Sequence, residues 1–393
     1  MKNNVSVQFP YEASIGLDAV DIDENKLTKA IDLFKKQYRK GDFPGGQIVI
    51  RHCGKLVYSE EIGIACGFND GEKCDKVAVK RDTLFNIFSA SKPILALAIA
   101  ILEDRGLLDV NAPVADIFPE FARNNKDKIT TLDVLTHQSG VFFPEIMDPN
   151  NSEQWGNQEK IREIIANAIP TFPRGTLAYQ PTEYGFILSE IVSQLTGQST
   201  RDFINSNIFK PAGLPIIDFE SNDMKNGKIS RSYWTGSKSF SIGEMNIAST
   251  YEDTYNSYQL LKTLIPGGLI DASRLAAFYE IFLRGGTAWD GTRIISAETL
   301  RKYTTHHISG LDKNVKFHLA YGRGIQVGKS LLPAIGGWFN TKPVFGHISN
   351  SAVGFGDYKK DLSVAIITNG AGGLKDVIMR FVPLTGKIRK AFR

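Results

Sequence analysis

The chain has 393 residues, of which 42% are hydrophobic and 22% are charged, and its formal net charge is +4. This is an ordinary globular composition, long enough for one large composite domain or two. The weak net charge, without a dense Lys/Arg block, argues against a nucleic-acid partner. The first residues lack the apolar segment of a signal peptide, and the longest apolar run, Ile94–Leu102, is far shorter than the roughly 20 residues that span a bilayer. We therefore expect a cytoplasmic protein without a membrane partner.

The chain contains three cysteines, Cys53, Cys66 and Cys74. An odd and sparse set of this kind predicts no disulfide framework, and its spacing is not that of metal ligands. Cys53 and Cys66 lie in apolar, strand-like surroundings. We expect both to be small, buried hydrophobic residues.

The N-terminal part of the chain reads as a lead-in, a helix and a hairpin. Residues 1–24 show no period, a helix is predicted over Asp23–Tyr38, and two strands are predicted over Gly45–Arg51 and Leu56–Ile64. A second helix is predicted from about Ser89 to Arg105. It is apolar around its whole circumference, which is typical of a buried helix.

The middle and the end of the chain differ in period. Residues 106–315 read mainly as helices and loops, with helices predicted over Thr131–Gln138, Gln158–Ile169, Pro181–Thr196, Arg201–Ile208, Ala272–Arg284 and Ala297–Tyr303. From residue 316 onward short strands are predicted over Ala320–Val327, Val344–His347, Ala352–Tyr358 and Leu362–Thr368, before a last helix over Leu374–Lys390. We predict an α/β (α+β) fold with one sheet built from about residues 25–105 and 316–393. An all-helical region, about residues 106–315, is inserted between these two parts.

The start of the buried helix carries a candidate reactive pair, Ser89 and Lys92. Residues three apart share a helix face, and an amine beside a hydroxyl can activate it as a nucleophile. The lysine must be neutral to accept a proton, and burial lowers its pKa in that direction. The helix N-terminus favours an anion, and the Ser89 N–H is one candidate donor to an oxyanion. A Ser-x-x-Lys pair alone is a weak signal, since a capping serine and a solvated lysine give the same pattern.

Several stretches in order extend this signal: Phe85–Phe121, Thr130–Gly140, Phe172–Tyr179, Gly267–Ile270, Leu283–Thr287 and Phe345–His347. Together they resemble the serine β-lactamase and penicillin-binding-protein-like superfamily, and in particular its class C β-lactamase and esterase branch. The resemblance covers residues 25–393. It implies a single β-lactamase-like unit, with an antiparallel sheet flanked by helices.

The resemblance also implies roles for individual residues. Ser89 matches the acylated nucleophile and Lys92 its partner in proton transfer. Tyr179 matches the tyrosine of the family's Tyr-x-Asn motif, a general base or proton relay whose pKa nearby cations would lower; Tyr184 is a weaker alternative because it lies inside a predicted helix. His347, Ser349 and Asn350 match the oxyanion and substrate-binding strand. No cofactor or metal is implied, because all reacting groups belong to the protein.

Two departures from the family pattern concern the substrate. Pro181 stands where Tyr-x-Asn has its asparagine, and His347-Ile-Ser replaces Lys-Thr-Gly, which removes a fixed cation and a hydroxyl that bind a carboxylate. We therefore expect a serine hydrolase or acyltransferase acting on a small-molecule ester or activated acyl donor. The alternatives are a catalytically reduced binding protein on the same fold and a β-lactamase or D-amino-acid peptidase. The natural substrate, the choice between hydrolysis and transfer, and the oligomeric state cannot be read from the sequence.

Overall fold

The computed structural model describes residues 21–142, 157–216, 218–237, 248, 251–252, 255–257, 261, 268–329, 335–339 and 341–393. In these ranges the α-helices are α1 (Glu24–Lys40), α2 (Lys92–Asp104), α3 (Thr131–Leu135), α4 (Gln158–Asn167), α5 (Glu183–Thr196), α6 (Thr200–Ile204), α7 (Ala272–Leu283), α8 (Ala297–Thr304) and α9 (Leu374–Ala391). The strands are β1 (Gly45–His52), β2 (Lys55–Cys66), β3 (Val77–Ala78), β4 (Phe85–Asn86), β5 (Tyr233–Trp234), β6 (Leu269–Ile270), β7 (Ile308–Leu311), β8 (His318–Tyr321), β9 (Gln326–Val327), β10 (Val344–Ile348), β11 (Ala352–Asp357), β12 (Leu362–Thr368) and β13 (Gly370–Ala371).

A nine-stranded sheet in the order β3-β2-β1-β12-β11-β10-β9-β8-β7 organises the fold, and every pair in it is antiparallel. Its centre joins the two ends of the chain, because β1 pairs with β12 from Gly46 opposite Thr368 to His52 opposite Leu362. The prediction of one antiparallel sheet built from both chain ends is confirmed.

Helices cover both faces of the sheet, and each face has its own hydrophobic cluster. On one face α1 and α9 pack against the inner strands through residues such as Phe34, Val364 and Phe381. On the other face lie α2, α7 and the helical part of the chain, in a larger cluster that includes Phe345. Strand β10 contributes to both clusters, with Val344 in the cluster of α9 and Phe345 in the cluster of α2 and α7, where its ring lies against Tyr279 and Phe282. Because side chains alternate along a strand, His347 faces the α2 side.

Helix α2 is buried around its whole circumference, as its sequence predicts. Every residue from Lys92 to Leu102 is buried. Pro93 fits the first turn, where its missing N–H has no intrahelical acceptor to lose. The helix thereby places its N-terminus against β10 and β11 in the interior of the protein.

The structure corrects three predictions. The inserted region is not all-helical, since β5, β6 and β7 lie within residues 106–315 and β7 joins the main sheet. The predicted strand over residues 320–327 is two strands, β8 and β9, because the chain turns at Gly324 with a φ of +75°. Cys66 and Cys74 form a disulfide, whereas Cys53 is exposed rather than buried. Cys66, the other cysteine that we expect to be buried, is buried.

Some predicted segments fall outside the described residues. These are residues 1–20, which form most of the lead-in, most of residues 238–250, and Gly267. The extent of the single unit over residues 25–393 stays a prediction. Among the described helices none is long and apolar enough to cross a membrane.

Candidate active site

Ser89 lies in a tight turn that joins a short strand to α2. Strand β4 pairs with β6, and the chain then passes through one 3₁₀ turn, Phe88–Ser91, into α2. Phe88 has a φ of +48°, and its N–H donates to the Asn86 side-chain oxygen at 3.0 Å. A bulky residue in the left-handed region is strained, and such strain is concentrated at functional sites. The turn leaves Ser89 partly exposed between buried neighbours.

Lys92 is fully buried and contacts Ser89 directly. Its Nζ lies 3.3 Å from Ser89 Oγ and donates to the Pro181 carbonyl oxygen at 2.7 Å. Burial lowers the pKa of Lys92 to about 7, and the negative charge of Glu183 opposes part of this shift. A lysine with this pKa is neutral in a large fraction of molecules at neutral pH and can accept a proton.

Pro181, which replaces the asparagine of the family motif, contacts Lys92 through its backbone. Its side chain offers no hydrogen bond, as expected, but its backbone carbonyl holds the Lys92 amine. Glu183, at the first turn of α5, is completely buried and acts on Lys92 electrostatically. Neither interaction is predictable from the sequence, because a backbone acceptor and a buried charge 91 positions along the chain leave no local pattern.

Tyr179 completes the group around Ser89. Its hydroxyl donates to Ser89 Oγ at 2.6 Å, and Lys92 Nζ lies 5.0 Å from the centre of its ring. Tyr184 instead donates to the Lys92 backbone carbonyl at 3.3 Å, so the structure favours Tyr179 over Tyr184 as the partner of the serine.

The expectation that nearby cations lower the pKa of Tyr179 is wrong in direction. Burial raises the pKa of the Tyr179 phenol well above its ordinary value, the Ser89 hydrogen bond opposes the rise, and the Asp312 and Glu183 carboxylates add to it. At neutral pH the phenol is therefore protonated and is a donor. Of the two groups that contact Ser89, Lys92 is the one whose pKa suits a base.

His347 faces the site as a neutral imidazole. Its Nδ1 lies 2.8 Å from the Ile348 carbonyl oxygen, which fixes Nδ1 as the protonated nitrogen. Burial lowers the pKa of His347 to about 3, and the nearby Lys92 adds to this. The buried Nε2 has no hydrogen-bond partner among the described residues. His347 therefore supplies no positive charge where the family pattern has a lysine.

Ser349 and Asn350, which follow β10, differ in burial and in hydrogen bonding. Ser349 is buried in the β10–β11 turn, where its hydroxyl accepts from the Ala352 N–H at 3.0 Å, so its side chain belongs to the hairpin. Asn350 is partly exposed at the same turn. Its N–H and that of Ser89 have no acceptor among the described residues. Two free N–H groups are what an oxyanion site requires.

Potential metal ligands are grouped away from this site. In the part of the chain that the structure describes, one group of three or more such side chains is found, formed by Cys66, Glu72 and Cys74. Its two sulfur atoms are joined to each other in the disulfide. A bonded sulfur is not a thiolate ligand.

Comparison with known proteins identifies the family. The chain is 26% identical over 353 residues to the esterase/beta-lactamase LipL of Mycobacterium tuberculosis, an alignment that covers 83% of this chain and 77% of LipL. It is 27% identical over 229 residues to the esterase EstB of Burkholderia gladioli, which covers 53% of this chain and 56% of EstB. A crystal structure of a penicillin-binding-protein homologue from Caulobacter crescentus shares the fold, with a TM-score of 0.77 at 24% identity over 93% of this chain and 97% of the other. The family model named Beta-lactamase matches residues 30–382, so the chain belongs to the beta-lactamase family.

Proposed function

We propose that the protein is a serine hydrolase that forms an acyl-enzyme on Ser89 and acts on neutral carboxylic esters. One observation carries the proposal: a buried lysine and a protonated tyrosine both reach Ser89 Oγ, at 3.3 and 2.6 Å. A serine is a weak nucleophile alone, and an adjacent base makes it reactive. The esterase names of the relatives LipL and EstB agree with this activity.

The two partners of Ser89 have complementary roles in acylation. Neutral Lys92 accepts the Ser89 proton as Oγ attacks the ester carbonyl, and the N–H groups of Ser89 and Asn350 stabilise the oxyanion. The Tyr179 phenol donates its proton to the leaving alkoxide as the carbon–oxygen bond breaks, and the Lys92 ammonium restores that proton. Water then enters in place of the alcohol, and the same groups run the proton transfers in reverse to release the acid and free Ser89.

The site favours uncharged esters over substrates with a carboxylate. His347 is neutral and Ile348 has no hydroxyl, so this strand offers a carboxylate neither an ion pair nor a side-chain hydrogen bond. Binding a charged group in a partly buried site without such partners is costly. We therefore expect little hydrolysis of nitrocefin, a β-lactam with a carboxylate, next to ready hydrolysis of p-nitrophenyl butyrate.

The test compares the wild type with Ser89→Ala. We expect the wild type to hydrolyse p-nitrophenyl butyrate and to be labelled by a fluorophosphonate probe, and Ser89→Ala to do neither. Ser91→Ala is the matched control, since the Ser91 hydroxyl donates to the Phe88 carbonyl within the same turn and makes no hydrogen bond to Ser89, Lys92 or Tyr179. Labelling or turnover that survives Ser89→Ala would refute the nucleophile.

The same assays separate the alternatives. A wild type that shows neither a burst nor turnover above Ser89→Ala is a binding protein on this fold. Rapid nitrocefin turnover instead indicates a β-lactamase. Transfer to an added amine or alcohol in preference to water, measured as product partitioning, indicates an acyltransferase. The full Ser89, Lys92 and Tyr179 group supports the hydrolase over the binding protein.

The cytoplasmic location stays a prediction, and one feature of the structure weighs against it. Disulfides such as Cys66–Cys74 are rare in the cytosol and common in oxidising compartments. Fractionation of the native cells with an antibody to the protein tests the location directly.

A further inference from the structure

Tyr179 lies on a segment that has no regular secondary structure of its own. Helix α4 ends at Asn167, and α5 begins at Glu183. The residues between them belong to no helix or strand. A phenol that must stay within 2.6 Å of Ser89 Oγ therefore needs its backbone held from outside.

The turn between β7 and β8 makes a hydrogen bond to the backbone on each side of the Tyr179 Cα atom. The Tyr179 N–H donates to Asp312 Oδ2 at 2.7 Å, and the Asn314 side-chain amide donates to the Tyr179 carbonyl oxygen at 2.7 Å. Both peptide groups that flank the Tyr179 Cα atom are thereby bonded to one six-residue turn, residues 312–317.

The Asp312 carboxylate is also held by hydrogen bonds within its own turn. It is completely buried, and its second oxygen accepts the N–H groups of Asn314 at 2.8 Å and Val315 at 2.9 Å. A carboxylate with three N–H donors has little freedom to rotate, and hydrogen bonds to a charged acceptor are about twice as strong as neutral ones. The turn therefore presents the Asp312 carboxylate to the Tyr179 N–H in a fixed orientation.

We propose that Asp312 and Asn314 are positioning residues that clamp the Tyr179 backbone and so aim its hydroxyl at Ser89. This rests on the proposed function, in which Tyr179 is the proton donor to the leaving group. Neither residue reaches Ser89 or the substrate in this scheme. They act through Tyr179, by keeping its hydroxyl at hydrogen-bonding distance from Oγ, and the Asp312 carboxylate in addition raises the pKa of the phenol. Small displacements of a catalytic group cost up to about a hundredfold in rate.

The experiment measures kcat/KM for p-nitrophenyl butyrate and the rate of fluorophosphonate labelling, in the wild type and in a Tyr179→Phe background. The variants are Asp312→Ala, Asn314→Ala and Asn314→Asp. The last keeps the size of the side chain but brings a carboxylate oxygen against the Tyr179 carbonyl. Lys313→Ala is the matched control, because this side chain is exposed on the same turn between the two residues.

We expect Asn314→Ala and Asn314→Asp to lower kcat/KM about tenfold and Asp312→Ala by about ten- to a hundredfold, mostly in kcat, with Lys313→Ala unchanged. In the Tyr179→Phe background the same substitutions should have little further effect, because the phenol they aim is absent. Thermal unfolding of each variant is followed alongside, and Asn314→Asp keeps the test open if Asp312→Ala does not fold.

The outcomes are separable. Equal losses in the wild-type and Tyr179→Phe backgrounds would overturn the clamp, since the residues would then act on the fold or on the whole site. Unchanged activity in all three variants would overturn it as well. Failure of the proposed function looks different: turnover and labelling would survive Ser89→Ala, whatever the turn variants do.

Discussion

The acidic limb of the pH–rate profile should report the protonation of Lys92. With a pKa of about 7, this lysine is neutral in about a tenth of molecules at pH 6, half at pH 7 and nine tenths at pH 8. An unperturbed lysine, with a pKa near 10.5, would be neutral in about one molecule in 3,000 at pH 7. Because only the neutral amine accepts the Ser89 proton, kcat/KM should rise about tenfold per pH unit below pH 6 and level off above pH 8.

Glu183→Gln is the perturbation that identifies the titrating group. The Glu183 carboxylate favours the ammonium form of Lys92, so its removal should lower the Lys92 pKa below its value of about 7. The limb then moves to lower pH, and the neutral fraction at pH 6 rises above about a tenth. We therefore expect kcat/KM to increase at pH 6, by at most about tenfold, and to change little at pH 8. Glutamine has nearly the same shape, so packing around this buried position is kept.

The assay is hydrolysis of p-nitrophenyl butyrate from pH 5 to pH 9. It is followed at the wavelength where p-nitrophenol and p-nitrophenolate absorb equally, and the rate measured with Ser89→Ala is subtracted as background. The two buried histidines near Ser89 do not give a limb at pH 7, because burial lowers the pKa values of His137 and His347. A limb that Glu183→Gln leaves in place, or moves to higher pH, would refute Lys92 as the base. A flat profile between pH 5 and pH 8 would do the same.

Two further predictions concern Tyr179 and the disulfide. Tyr179→Phe should lower kcat about a hundred- to a thousandfold by removing the proton donor, while Ser89 stays reactive enough for slow fluorophosphonate labelling; an unchanged kcat would remove Tyr179 from the mechanism. The paired change Cys66→Ser/Cys74→Ser should lower the free energy of unfolding in urea by about 2–3 kcal/mol, because the link no longer restricts the unfolded chain. Cys53→Ser, at the exposed free thiol, is the control that should leave it unchanged; equal stability of the paired variant would contradict the role of the link.

Local patterns in the sequence were sufficient for the longer helices and for the contact between Ser89 and Lys92. Apolar periodicity predicted α1, α2, α5 and α7 to within about two residues at most ends, because each buries a face or the whole helix against the sheet or against other helices. The three-residue spacing of Ser89 and Lys92 predicted their contact, since the 3₁₀ turn that carries Ser89 runs directly into the first turn of α2, which carries Lys92. These are properties of neighbouring residues, which the sequence determines by itself.

Local patterns failed where contacts depend on how the chain folds back on itself. Cys66 and Cys74 are eight positions apart, and they form a disulfide because the segment after β2 returns beside the end of β2 to pair as β3. The short strands β5 and β6 bury too few residues to show a period, and each exists by pairing with β13 or β4. The direction of the Tyr179 pKa shift depends on the depth of its burial, which no spacing records.

The sequence by itself therefore determined the buried helix, the serine–lysine pair at its start and the class of fold. The tertiary structure decided which groups lie against that serine and in which protonation state. Tyr179 is held by residues 133 and 135 positions away, and Lys92 by the backbone of Pro181. Such contacts depend on three-dimensional proximity and on exclusion of water, and both are set only when the sheet and the helical region close around Ser89.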